Sequence, residues 1–456
     1  MRNLTAVVAV ITLILTLAGC ASTGGGKAGS VERRLADIEK LSRKLDDESF
    51  NKLISYLADP EESVRMAALM QLFDRKDRRS AKPVAGLIDD PVPEIREKSV
   101  ELLGLLDEPE ILPDLIEAFG HEDYQLSRMA VSAVRNFGAA AAPVLIDALG
   151  ADQQRIRDAA VETLVLLDPP PVELVARELT NPQRGPGARA VLVRTADRAL
   201  TGLSIVALDA SMELAVKIAE VIGEIGDPRG MDTLRILAAK PEADVRIAAA
   251  RAMGQAGKDQ SAEPLAMLLG DTDPAVRNTA LEALRPYVHP GLEDQFFDAL
   301  NDPATQVNAL LDLGALNSKK AIRELGKTIK SKHAHIRLAS VQAMTLSRNE
   351  THVPALTRAL SDSDSDVRLA SISGLAAIDT ATAQKALAKH YSKAKTCRER
   401  SAIYDYLQAK GAAAKLPLPM DKMKDVCSVC GQCATYQDEA KVWFCDVHKP
   451  SVAPGE

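Results

Sequence analysis

The sequence predicts an all-α protein: a superhelix of stacked helix pairs, followed by a small C-terminal metal-binding module. Three observations lead there. A dipeptide of a branched residue and arginine returns at 31-residue intervals through the middle of the chain. The 456 residues are 46% hydrophobic but only 3% aromatic, so a core has to be built from Ala, Leu, Val and Ile in thin, close-packed layers. Four of the six cysteines crowd into the last 30 residues. A charged fraction of 26% fits a globular chain. A formal net charge of −7 argues against a protein that coats nucleic acid, and no nucleic-acid partner is expected.

The chain opens with Met1-Arg2-Asn3 and an apolar run from Leu4 to Ala18. That run is shorter than the roughly 20 residues of a membrane span and fits the apolar region of an export signal. It ends in Leu17-Ala18-Gly19-Cys20, which resembles the lipobox of bacterial lipoproteins. The resemblance implies a signal peptide over residues 1–19 and diacylation of Cys20, with palmitate-type chains anchoring the protein to a bilayer without spanning it. Ala21 stands where an aspartate would favour inner-membrane retention, so the resemblance implies the outer membrane, facing the periplasm. Residues 20–30 then form the lipidated cysteine and a flexible Gly/Ser-rich tether. Folding is expected from Val31, with Ser30 as N-cap and Glu32 in the first turn.

From residue 31 to 415 the sequence reads as a solenoid. The strong copies are Val64-Arg65, Ile95-Arg96, Ile156-Arg157, Val245-Arg246, Val276-Arg277, Ile336-Arg337 and Val367-Arg368. Weaker copies are read at Leu126-Ser127-Arg128, Ala188-Arg189, Val216-Lys217, Val307-Asn308 and Cys397-Arg398, giving twelve phased units. In one copy Val245, Ala248, Ala249, Ala252 and Met253 recur at helical spacing and predict a buried stripe. Gly254 and Gly257 are read as turn residues at its end. A second, shorter helix is predicted from Ala262 to Leu269 with Pro264 in its first turn, and Asp271-Thr272-Asp273-Pro274 starts the next unit with capping oxygens. Helix pairs this short bury their apolar stripes only by stacking.

This pattern of Asp, Val-Arg, Ala, Ala-Leu and Gly resembles HEAT repeats (the HEAT/armadillo-like solenoid class), in the short form also found in the phycobilisome-lyase family. The resemblance implies an α-α superhelix whose long surface binds other proteins. The recurring arginine is read first as structural, reaching the Asp-rich turns of its own or the neighbouring unit; a ladder of binding arginines is the alternative. Pro169-Pro170-Pro171 with Asn181–Gly187, and Arg285–Gly291, depart from the pattern and read as bends or inserted loops. Residues 315–415 hold 18 Lys/Arg against 8 Asp/Glu, so the C-terminal part of the solenoid is a candidate to face an anionic surface.

The repeat stops after Pro419, and residues 416–456 carry Cys427-x-x-Cys430-Gly431, Cys433, and Trp443-Phe444-Cys445-x-x-His448. Two ligand pairs with 14 residues between them match the spacing of a treble-clef or zinc-ribbon site. A structural Zn²⁺ on Cys427, Cys430, Cys445 and His448 is expected, with Cys433 a possible substitute ligand. Two disulfides, or an iron–sulfur run of Cys427, Cys430, Cys433 and Cys445, are the other chemistries these residues allow. Cys397 reads as a small buried core residue at the Val position of its repeat.

No phosphate-cradling glycine loop, nucleophile elbow or haem-attachment motif occurs, and the chain is expected not to be an enzyme. The expected function is a membrane-anchored scaffold or adaptor that binds proteins in the bacterial cell envelope. The alternative is an accessory protein of the bilin-lyase-like HEAT class, or a thiol–disulfide redox protein using the C-terminal cysteines.

Overall fold

The computed structural model describes residues 28–43, 46–256, 259–412 and the two short strands Tyr436–Gln437 and Trp443–Phe444. The signal-peptide region, Cys20 and the expected ligands Cys427, Cys430, Cys433, Cys445 and His448 lie outside the described residues. No helix among the described residues is long and apolar enough to cross a membrane. The chain divides into two compact units, Met1–Gly202 and Leu203–Glu456.

Both units are built from a long helix, a short turn of 3-10 helix and a short second helix, repeated. In the first unit the long helices include Glu62–Arg75, Pro93–Leu106, Tyr124–Asn136, Gln154–Leu166 and Gly185–Thr195. In the second they are Met212–Ile225, Ala243–Ala256, Pro274–Leu284, Gln306–Leu316, Ala334–Ser347, Ser365–Ile378 and Cys397–Ala409. Twelve such helices fall where the twelve phased units were expected. The first helix runs Ala28–Ser42, so Ser30 lies inside it and is not its cap. Ala28 is a strong helix former and lets the helix begin earlier, and the Ser30 hydroxyl accepts a hydrogen bond from Arg34 instead.

The amphipathic stripe behaves as expected: Val245, Ala248, Ala249, Ala252 and Met253 are all buried. The following short helix is Ala262–Leu268. Asp273 caps the next long helix by accepting from Ala275 N at 2.7 Å, with Pro274 in the first turn, where its missing N–H leaves nothing unsatisfied. In the second unit Leu325, Met344, Leu356, Leu375 and Leu387 form one continuous core across successive repeats. The departures from pattern are connections between ordinary elements. Asn181 accepts from Gln183 N and Arg184 N and leads into the Gly185–Thr195 helix. Arg285–Tyr287 and Pro290–Leu292 are 3-10 turns between the Pro274–Leu284 and Glu293–Ala299 helices.

Gly254 does not end its helix. It lies within Ala243–Ala256, where a Cβ would stand 2.9 Å from the Cβ of Ala283 in the next long helix. The same contact recurs: Gly104 meets Ala133, Gly223 meets Ala252, and Gly314 meets the backbone of Ala343. Between Ala334–Ser347 and Ser365–Ile378 the roles exchange, with Thr345 against Gly374. Small residues here let consecutive long helices approach at one fixed joint, which explains why glycine is kept inside helices that it otherwise weakens.

Three weaker copies are phased two residues away from the sequence reading. Ser211 caps its helix by accepting from Leu214 N, so Leu214-Ala215, not Val216-Lys217, stands where Val245-Arg246 stands. Buried Thr305, followed by Gln306, takes the position given to Val307-Asn308. Thr396 caps by accepting from Glu399 N, so buried Glu399 with Arg400 replaces Cys397-Arg398.

Candidate interaction surfaces

The seven strong arginines, read first as structural with a binding ladder as the alternative, are all accounted for by contacts within the fold. Each donates from Nη1 to the two carbonyls six and five residues before it: Arg65 to Asp59 and Pro60, Arg246 to Lys240 and Pro241, Arg337 to Ser331 and Lys332, and likewise Arg96, Arg157, Arg277 and Arg368. Six of the seven then reach a carboxylate of the next repeat, five of them in its loop and Arg368 at Glu399 in the first turn of the Cys397–Ala409 helix. Arg65 donates to Asp90 at 2.7 and 2.9 Å, Arg246 to Asp271 at 2.7 and 2.8 Å, and Arg337 to Asp362 at 2.9 and 2.8 Å. Arg96 pairs with Asp123, Arg277 with Asp302 and Arg368 with Glu399. Their guanidinium groups hold Asp271 and Asp362 below the usual carboxylate range. For Asp90, burial pushes upward, but Arg65 and the Val92 N–H outweigh it.

Arg157 is the exception. The residue 25 positions on is Pro182, and Arg157 Nη2 turns back to Gln154 of its own helix. The arginines therefore clip each loop to itself and to its neighbour. They form a structural ladder, and their charge is used inside the fold.

What remains open to a partner is the outer surface of the helices. On the long-helix side of the second unit, Met212–Ile225 and Ala243–Ala256 enclose a shallow, open groove of about 370 Å³. Met212, Val216, Ile247 and Ala248 supply its apolar lining, while Glu213, Glu220, Asp244 and Arg251 supply charge. Lys217 is held by Glu220 at 3.0 Å, and Met212 is 50% exposed. A groove of this kind suits one or two apolar side chains of a polypeptide, oriented by charges at the rim.

Of the cysteines, only Cys397 is described. It is fully buried, as expected, but it is disulfide-bonded. Spacing within the repeat gave no sign of this. Among the described residues no group of three or more His, Cys, Asp or Glu side chains is placed to hold a metal ion. The strands Tyr436–Gln437 and Trp443–Phe444 pair antiparallel, with Tyr436 opposite Phe444, and lie in the sequence between Cys433 and Cys445.

A repeated-helix chain with a capped long helix, an inward Val/Ala/Leu stripe and an Arg–Asp ladder defines an α-solenoid class. The HEAT-repeat family model matches residues 81–165, 202–285 and 337–408, just over half of the chain, and the protein belongs to the HEAT-repeat family. No curated protein sequence matches it. Among solved structures, the karyopherin Kap121p bound to the extreme C-terminus of the protein phosphatase Cdc14p is 12% identical, with a TM-score of 0.45 over 84% of this chain and 50% of that one. Kap121p bound to Nup53p is 11% identical, with a TM-score of 0.44 over 85% of this chain and 52% of that one. An engineered protein is 16% identical, with a TM-score of 0.27 over 82% of this chain and 99% of that one. The chain thus spans about half the length of the karyopherins it resembles.

Proposed function

We propose that the protein is a lipid-anchored HEAT-repeat scaffold that binds other proteins in the bacterial cell envelope, with a structural zinc module at its C-terminus. The observation that carries this reading is the groove between Met212–Ile225 and Ala243–Ala256: an accessible apolar surface rimmed by charge, in a fold whose recurrent arginines are otherwise occupied. The disulfide at Cys397 supports an oxidising compartment outside the cytoplasm, in keeping with the lipobox-like Leu17–Cys20. Zinc on Cys427, Cys430, Cys445 and His448 would supply the folding energy of a segment too short to hold its own core. A thiol–disulfide role is the second reading; full burial of Cys397 argues that its bond is structural and not exchanged.

Cross-linking in native envelopes followed by affinity capture tests the reading. The intact chain is compared with one lacking residues 411–456 and carrying Cys397→Ser. Specific proteins captured by both forms support recognition on the repeats. Capture lost with the truncation assigns recognition to the cysteine module, and capture by neither form contradicts the scaffold.

A further inference from the structure

Five of the 18 Lys and Arg over residues 315–415 fall on one face of a row of short helices. Six successive short helices of the second unit, Met231–Ala238, Ala262–Leu268, Glu293–Ala299, Lys319–Thr328, Val353–Ala359 and Ala381–His390, each present one exposed side chain at the same place. In chain order these are Ile236, Met267, Asp298, Lys327, Arg358 and Lys389. The row begins apolar, passes one acid and ends in three cations on consecutive helices; four residues before each, the neighbouring row runs Asp232, Glu263, Asp294, Arg323, Pro354 and Lys385, so the face is acidic over its first three helices and basic over its last three. Glu324, which pairs with Lys327 at 2.8 Å, is the one carboxylate on these last three helices. Arg358, Lys385 and Lys389 have no ion-pair or hydrogen-bond partner among the described residues. Unlike the ladder arginines, Arg358, Lys385 and Lys389 are exposed and uncommitted.

We propose that the basic end of this face, on the last three helices, lies against an anionic phospholipid bilayer. Charge complementarity and shape both favour such a surface. The side chains protrude, with Met267 76% exposed and the Lys327 side chain 73% exposed, so the row has no slot for a narrow partner and suits a broad surface of diffuse negative charge. No aromatic side chain is exposed on the three basic helices to stack a nucleobase. The proposal rests on the reading that the chain works at a membrane, but it does not need the acyl group itself.

The test uses the full chain carrying Cys20→Ser, which cannot be acylated, and sedimentation with phosphatidylglycerol-rich or pure phosphatidylcholine vesicles. Any apolar binding by the N-terminal run contributes equally to both, so the difference between vesicles is the readout. The anionic vesicles are expected to retain the chain more strongly, in a salt-sensitive way. K327E/R358E/K389E is expected to lower that excess about tenfold or more, and R358Q/K389Q by an intermediate factor. These exposed sites should leave the thermal unfolding midpoint unchanged, which guards against misfolding as the cause. Equal binding to both vesicles, or a triple variant that binds like the parent, overturns the proposal. Charge-dependent retention on immobilised polyglutamate with no vesicle preference also overturns it and makes the partner an acidic polypeptide. Palmitate labelling of the unsubstituted chain reports separately on the anchor, so failure of one reading is distinguishable from failure of the other.

Discussion

Arg285 and Asp312 occupy the joint that a glycine and an alanine fill between other neighbouring long helices. Arg285 stands 31 residues after Gly254, and its Nε donates to Asp312 Oδ1 at 2.9 Å. Asp312 is fully buried, and its second oxygen has no hydrogen-bond partner. At this one joint an ion pair replaces close contact between small residues, and Arg285 also reaches Asn308 of the same helix.

Burial raises the Asp312 carboxyl to about 7, against the pull of the Arg285 guanidinium. Its folded value lies above its unfolded one, so the stability it contributes is complete below about pH 4 and is lost as pH rises through about 7. Asp312→Asn does not titrate. Its stability relative to the parent should therefore climb between those two values and then level off. Urea unfolding at a series of pH values measures this, and a difference that stays flat contradicts it.

Gly314→Ala should destabilise by about 1–3 kcal/mol, because the new Cβ would sit 2.4 Å from the Ala343 carbonyl oxygen and backbone has to move. Gly326→Ala provides the contrast. It lies in the Lys319–Thr328 helix with nothing within 4 Å, so alanine should stabilise by about 0.4–1 kcal/mol. Chemical denaturation of both variants decides the point; similar effects at the two sites would mean the joint is not tightly packed.

Removing Arg246 leaves Asp271 largely buried and without its partner, at side-chain exposures of 12% and 9%. A loss of about 2–3 kcal/mol is expected for Arg246→Ala, below the full cost of a completely buried pair. Arg157→Ala, which breaks contacts only within its own repeat, should cost about 1 kcal/mol. Equal losses would show that the inter-repeat carboxylate contributes nothing.

Much of this fold was readable because its signals are local. Asp273 before Pro274, the Val245-to-Met253 stripe and the strong Val-Arg copies each act within a few residues. Register slipped where the signature residue changed: Ala215 and Gln306 stand at the arginine position, and nearby Val216-Lys217 and Val307-Asn308 imitate it. Gly254 read as a turn because its reason, Ala283, is 29 residues away. The basic face was visible only as a charge excess along the chain. That five of these cations line up on one row of helices required the structure, as did the groove, whose two walls are separate helices.

The cysteine chemistry gives a further expectation. If zinc takes Cys427, Cys430, Cys445 and His448, and Cys20 carries lipid, the one cysteine left to bond Cys397 is Cys433. Non-reducing peptide mapping should find that link, with one zinc per chain that Cys430→Ser abolishes. A bond from Cys397 to Cys427, Cys430 or Cys445 would remove a ligand and leave Cys433 to replace it, and a chain that then holds no zinc would contradict the site.

The central claim is that recognition uses the outer helix surface while the arginine ladder only holds the repeats together. Photo-cross-linking from a benzophenone side chain placed at Ile247 in native envelopes tests it most directly. The account predicts discrete adducts that disappear with Met212→Asp at unchanged thermal stability, and that persist when Arg246→Lys weakens the ladder. Adducts indifferent to Met212→Asp but abolished by Arg246→Lys would contradict it.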